Sequence, residues 1–200
     1  MPIDKLSTLT LPRLCLASSS RIRADILQQA GLDIHVIPAI INEDLWKTTG
    51  GEDPAILAQT LAHAKASDVR SRVSDEWIIG CDQVIHLNGS NYSKPRSKQQ
   101  MKQQLAAFAG NEVSYVSGLC LYRGNNFLHK SVEVSYVQFH NMTDNFIHSF
   151  VEKHHHDLGC AGVVPMEGVG IQVVAGLRGS MFSIMGLPVY KLLKILRENL

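Results

Sequence analysis

WIIGCDQVIHLNG, residues 77–89, is the stretch on which the fold turns. Trp77 to Cys81 is an uncharged run too short for an ordinary helix, and it reads as a compact strand buried in a sheet. Asp82 and Gln83 are expected at its carboxyl end, with Val84 and Ile85 leading into Asn88-Gly89, a two-residue hairpin signal. A hairpin after Asp82, and another after Gly118, cannot belong to a purely parallel sheet. Helical patterns alternate with the extended runs. The expectation is therefore an α/β fold, a single two-lobed domain (residues 1–200) around a bent mixed β-sheet. Residues 1–10 read as a short N-terminal extension.

Toward the N-terminus, Leu14 to Ala17 is a short apolar run ending in Ser18-Ser19-Ser20. Ile22, Ile26, Leu27 and Ala30 then recur at helical spacing until Gly31, giving strand, polar turn and helix. Ile34 to Ile41 reads as extended, interrupted by Pro38, and delivers Asn42-Glu43-Asp44. Asp53 and Pro54 supply the N-cap and first position of a second helix that carries Lys65. Toward the C-terminus, Lys94-Pro95 precedes a polar helix over 98–108, and extended runs are expected over 113–121, 130–139 and around 171–174. Residues 144–153 read as a helix with Phe146, Ile147, Phe150 and Val151 on one face, and the last helix covers 189–196.

With 200 residues, 45% of them hydrophobic, the chain can bury a substantial core. A formal net charge of +1 leaves no excess positive field for a nucleic-acid polymer. No stretch approaches the roughly 20 apolar residues of a membrane span, and the opening residues lack a signal peptide's h-region. A cytoplasmic location is expected. The four cysteines (Cys15, Cys81, Cys120, Cys160) are far apart in apolar company and read as reduced core residues.

Two constellations carry chemistry. In Ser18-Ser19-Ser20-Arg21-Ile22-Arg23, hydroxyls, guanidinium groups and a helix N-terminus all favour a bound phosphate. Taken alone, the motif reads first as an ordinary serine N-cap with two solvated arginines. Glu43, Lys65, Asp82 and Lys94 lie at or near element ends. Two carboxylates can hold Mg²⁺ or Mn²⁺ against phosphate oxygens, and two lysines can neutralise charge developing on phosphoryl transfer. Walker-type and GxGxxG loops are absent. His154-His155-His156 with His148 reads as a solvated helix end rather than a metal site, and no GxSxG elbow supports a serine triad.

LASSSRIRADILQQAG, the acid in INED, LAHAKA, IIGCDQV, Lys94-Pro95, GNEVSYVSGLCLY, CAGVVPMEGVGI and GSMFSIMGLPV occur in the order and spacing of one family. On these residues, spanning nearly the whole chain, the sequence resembles the Maf family of nucleotide pyrophosphatases, which share an architecture with the inosine-triphosphate pyrophosphatases. The resemblance implies hydrolysis of a nucleoside triphosphate to monophosphate and pyrophosphate with a divalent metal cation, Mg²⁺ or Mn²⁺, as cofactor. It assigns Ser18, Ser20 and Arg23 to the triphosphate, Glu43 and Asp82 to the metal, Asp82 to proton acceptance, and Lys65 and Lys94 to phosphate oxygens. Three positions resembling determinants of base choice are Ile22, Gln83 and Glu167, and the last two look like the branch acting on 7-methyl-GTP rather than the one acting on dTTP and UTP. A glutamate can accept hydrogen bonds from the N1–H and 2-amino group of guanine.

Two positions depart from the family. Arg21 stands where Pro is usual, and Ile22 where the 7-methyl-GTP branch has Trp, so a cation–π contact to a methylated base is lost there. The resemblance also implies a homodimer. Because the family is linked to septum formation, a nucleotide-binding regulator without turnover is the alternative role, and an acyl hydrolase using one of the serines is a third.

Overall fold

The uncharged run beginning at Trp77 extends further than its pattern suggests. In the computed structural model, which describes residues 13–43, 53–73, 76–155 and 163–199, β3 (Trp77–Leu87) is one strand of 11 residues. Asp82 and Gln83 are thus in its middle rather than at its carboxyl end, because Val84 to Leu87 continue the pairing with β5 (Glu112–Arg123). The extension 1–10, Asp44, His156 and Cys160 lie outside the described residues.

The sheet has seven strands and is mixed, as expected. β1 (Leu14–Leu16) runs parallel to both β2 (Ile34–Val36) and β3, whereas β3–β5, β5–β6 (Asn126–Phe139) and β6–β7 (Val174–Arg178) are antiparallel. β4 (Ser90–Tyr92) folds back on the end of β3 through Asn88 and Gly89, both at positive φ, as the hairpin signal requires. One consequence decides the site. β1 accompanies β3 only from Trp77 to Ile79, and β4 first pairs at Ile85. Along that edge the stretch from Gly80 to Val84 has no neighbouring strand, so the sheet opens there while β5 remains paired on the other side.

Helices cover both faces. α2 (Pro54–Arg70), capped by Asp53 as expected, lies on one face with Ala58, Ala62 and Ala66 fully buried. It can approach closely because the strands beneath are bare: a methyl at Gly80 would penetrate the Ala62 carbonyl oxygen, and one at Gly118 the Ala58 carbonyl oxygen. On the opposite face α1 (Arg21–Gln29) and α6 (Val189–Asn199) pack Ile26, Leu27, Leu192 and Ile195 against Trp77, Ile79 and Cys81. A second core forms at the other end of the sheet, where α3 (Lys98–Phe108) and α4 (Asp144–His154) bring Met101, Leu105, Phe108 and Phe150 onto Ile85, Tyr115 and Phe139.

The extended readings at the margins need correction. Pairing of β2 ends at Val36, two residues before Pro38, which has no amide hydrogen to extend a ladder. Residues 169–173 form a 3₁₀ turn in place of a strand, drawn tight by Gly168 and Gly170 amides donating to the Pro165 carbonyl, and β7 begins at Val174. A short helix, α5 (Met181–Ile184), was not foreseen; Ser180 caps it by accepting from the Ser183 amide. In α4, Ile147, Phe150 and Val151 are buried, but Phe146 is exposed. No helix among the described residues is long and apolar enough to cross a membrane.

The close approach of α2 makes a stability prediction. Gly118→Ala should lower unfolding free energy by about 1–3 kcal/mol, the range for overpacking a core. Gly176→Ala, at a position with nothing within 4 Å, should stay within about 0.5 kcal/mol. Guanidinium denaturation of both variants checks the difference.

Candidate functional site

A cleft of about 870 Å³ opens where the sheet lacks a strand partner for the middle of β3. All ten residues singled out from the sequence line it: Ser18, Ser20, Ile22, Arg23, Glu43, Lys65, Asp82, Gln83, Lys94 and Glu167. Successive strand residues point to opposite faces. At the gap, that alternation sends Asp82 toward α2 and Gln83 toward α5, yet both remain at the cleft wall.

On the α2 face, Lys65 is the hub. Its Nζ lies 2.6 Å from Asp82 Oδ1 and 2.8 Å from Glu43 Oε1. The Lys65 and Asp82 side chains are only 12% and 10% exposed, so the contact is shielded from solvent screening in a way that surface pairs are not. Two carboxylates share one ammonium, which leaves the trio with a net negative charge beside open space. Hard oxygen donors in such an arrangement suit Mg²⁺ or Mn²⁺, which characteristically take one or two carboxylates together with substrate phosphates.

The turn from β1 into α1 supplies the second wall. Ser20 is the N-cap of α1, accepting from the Arg23 amide, and Ser18 Oγ accepts from the Ser20 amide at 3.2 Å. The turn is thus held in the shape that aims the first amides of α1 at the cleft. Arg23 plays a different part from a simple phosphate clamp. It is 9% exposed; Nε donates to the Gly186 carbonyl at 2.8 Å, and Nη1 to the Cys81 carbonyl at 2.9 Å and to Ser18 Oγ. The Cys81 carbonyl belongs to the unpaired edge of β3, so Arg23 caps the gap in the sheet and ties α1 to it. Of its three guanidinium nitrogens, Nη2 carries none of these bonds.

Lys94 is exposed in the loop after β4 and makes no hydrogen bond or ion pair among the described residues. Arg21 and Arg96 also line the cleft; Arg96 was missed, although its place two residues after Lys94 in the same loop was the available signal. At the other end Glu167 is exposed, and Ile22 packs partly against the apolar core beneath α1. Gln83 is tied down: its Nε2 donates to the Ser183 carbonyl at 2.8 Å, the Ile184 carbonyl at 2.9 Å and Ser117 Oγ at 3.2 Å.

Competing nucleophiles find no support. No described histidine lines the cleft, so its serines have no general base of the triad type. The Cys81 thiol, next to Asp82, is pushed up to about 11 by burial despite Arg23 and Lys65, and Cys15 and Cys120 are also free, buried and raised. His148 contacts Lys102, His154 packs on Phe150 and His155 lies by the Glu152 carbonyl, so these histidines do not converge. A grouping not foreseen is Cys15, His35 and Glu76, whose donor atoms lie within 4.8 Å of one another. It sits at the other end of β1 and β3 from the cleft, with His35 paired to Glu76.

Known proteins resemble this chain over most of its length. A relative from Ruegeria sp. (strain TM1040), described as a nucleoside triphosphate pyrophosphatase, is 35% identical over 185 residues, covering 90% of this chain and 93% of the relative. The 7-methyl-GTP pyrophosphatase of Rhizobium meliloti (strain 1021) is 34% identical, covering 94% and 96%. The solved Ham1 protein of Staphylococcus aureus aligns with 66% of this chain and 72% of its own at 16% identity and a TM-score of 0.37. The model of the family described as Maf-like protein matches residues 13–199, and the chain belongs to that family.

Proposed function

We propose that this protein hydrolyses a nucleoside triphosphate to the monophosphate and pyrophosphate. The observation carrying the reading is the Glu43–Lys65–Asp82 trio, set in one cleft with the N-terminus of α1 and the exposed cation of Lys94. The relatives' descriptions as nucleoside triphosphate and 7-methyl-GTP pyrophosphatases support it.

The triphosphate fits along the wall formed by Ser18, Ser20 and the α1 amides, with Lys94 and Lys65 available to its oxygens. Water attacks the α-phosphorus; a new P–O bond forms, the α–β bridging bond breaks, and pyrophosphate departs with the electron pair. Asp82 takes the proton from that water. Its Oδ1 is held by Lys65, which fixes the carboxylate's orientation. A divalent ion held by Glu43 and Asp82 would neutralise charge on the phosphate oxygens. Positioning and charge neutralisation account for most of the acceleration expected of such a site.

Glu167 and Gln83 stand at the base-binding end in this reading, and a guanine nucleotide, 7-methyl-GTP in particular, is the favoured substrate. Glu167 offers acceptors for the N1–H and 2-amino donors of guanine.

Three outcomes test this. Asp82→Asn should keep its fold and nucleotide affinity while turnover falls at least ~100-fold, the scale of a lost general base; near-normal pyrophosphate release would remove Asp82 from the mechanism. Chelation with EDTA should abolish release, and added Mg²⁺ or Mn²⁺ should restore it. Glu167→Gln should change the ratio of guanine to pyrimidine turnover more than the total across a nucleotide panel, and an unmoved ratio would exclude it from base recognition. Saturable nucleotide binding with no release from any triphosphate would favour a sensor over an enzyme.

A further inference from the structure

Behind the base-binding end lies a polar network that the hydrolytic chemistry does not use. Ser117 and Ser183 are both fully buried. Ser117 faces Gln83 across the β3–β5 ladder and Glu133 across β5–β6, so the three side chains form a row on the α5 face of the sheet. Ser117 Oγ donates to the Ser183 carbonyl at 2.7 Å and accepts from Gln83 Nε2. The Ser183 hydroxyl donates to the Glu133 carboxylate.

This row settles which way round the Gln83 amide sits. Two of its three contacts are backbone carbonyls, of Ser183 and Ile184, which only accept hydrogen bonds. The group facing them must be the NH₂. Rotating the amide by half a turn would set its oxygen against both carbonyls with nothing to donate, in a setting where an unpaired polar group is costly. Oε1 takes no hydrogen bond among the described residues and is not sealed from solvent, so it opens onto the cleft that Gln83 lines.

We infer that Ser117 and Glu133 are positioning residues that lock the Gln83 amide with its oxygen toward the ligand, so that Gln83 and Glu167 together present only acceptors to the base. Glu133 acts by holding Ser183, and with it the α5 carbonyls; Ser117 acts on both the amide and one of those carbonyls. The inference rests on the reading of the cleft as a nucleotide site. An acceptor-only wall suits guanine, whose N1–H and 2-amino donors are adjacent. Uracil offers one N–H between two carbonyl oxygens, which would meet the carboxylate and the amide oxygen unfavourably. A site built for hydrogen-bond donors discriminates strongly against ligands that lack them.

Two measurements on the full chain test the lock. The Gln83 side-chain amide protons, identified by their absence from the spectrum of Gln83→Ala, should exchange slowly with solvent and should exchange rapidly in Ser117→Ala. Exchange in the unmodified protein as fast as that of the exposed Gln103 would overturn the lock whatever the enzyme does. The ratio of GTP to UTP affinity by titration calorimetry should fall about 5- to 10-fold in Ser117→Ala and in Glu133→Ala, the scale of one misaligned hydrogen bond. Turnover of the better substrate at saturation should stay within about twofold, since neither residue lines the cleft. An unchanged ratio, or equal weakening of both nucleotides, would reduce Ser117 and Glu133 to structural roles. Because affinity rather than turnover is read, absence of pyrophosphate release would sink the hydrolytic reading and leave this test standing.

Discussion

The rest of the structure depends on the contact between the backbone of α2 and two glycine positions of the sheet beneath it. Gly80 and Gly118 sit in neighbouring strands under Ala58, Ala62 and Ala66, and together they let a helix lie against the strands with almost nothing between. Lys65 is on that helix and Asp82 is two residues beyond Gly80. The separation of ammonium and carboxylate is therefore set by glycine and alanine packing, a rigid contact, rather than by the reach of a flexible lysine. Side chains elsewhere on the sheet could be exchanged for others of similar volume; at Gly80 and Gly118 there is no volume to exchange.

The second determinant is an interruption. A strand with unpaired amides and carbonyls in mid-sheet is normally a liability. Here β1 stops before β4 begins, and the exposed stretch of β3 is turned to use: Arg23 caps the Cys81 carbonyl, and the space where another strand would run becomes the cleft. Ligands of open α/β sheets gather where neighbouring strands part. The same arrangement explains why Arg23 is buried and bound to two carbonyls while remaining at the cleft wall.

Much of this was legible in the residues. Asp53-Pro54, Asn88-Gly89 and the serine N-cap of α1 are local signals whose physics does not depend on distant partners, and the corresponding elements formed where expected. Of the candidate site residues, Ser18, Ser20, Arg23, Glu43, Lys65, Asp82 and Lys94 were legible from charged or hydrogen-bonding groups near element ends, whereas Ile22, Gln83 and Glu167 came only from the family resemblance. What escaped was non-local. Nothing in IIGCDQV indicates that Val84 to Leu87 would find a continuous partner in β5 and draw Asp82 into mid-strand. The 3₁₀ turn over 169–173 depends on amides reaching back to Pro165, and α5 is too short to show a period. Ser117 and Glu133 read as unremarkable strand residues until the ladder aligns them with Gln83.

Asp82 and Gln83 are joined by one peptide bond and serve opposite faces of β3. The roles proposed for them, in bond cleavage and in base recognition, are consequently adjacent in the chain but supported from opposite faces of the sheet, by α2 and by α5. On that proposal, a substitution at the second position retunes recognition without disturbing the acid one step earlier. An inserted or deleted residue between Ile79 and Asp82, by contrast, would exchange the two faces and forfeit both tasks at once. Such an architecture permits diversification by replacement and forbids it by length change.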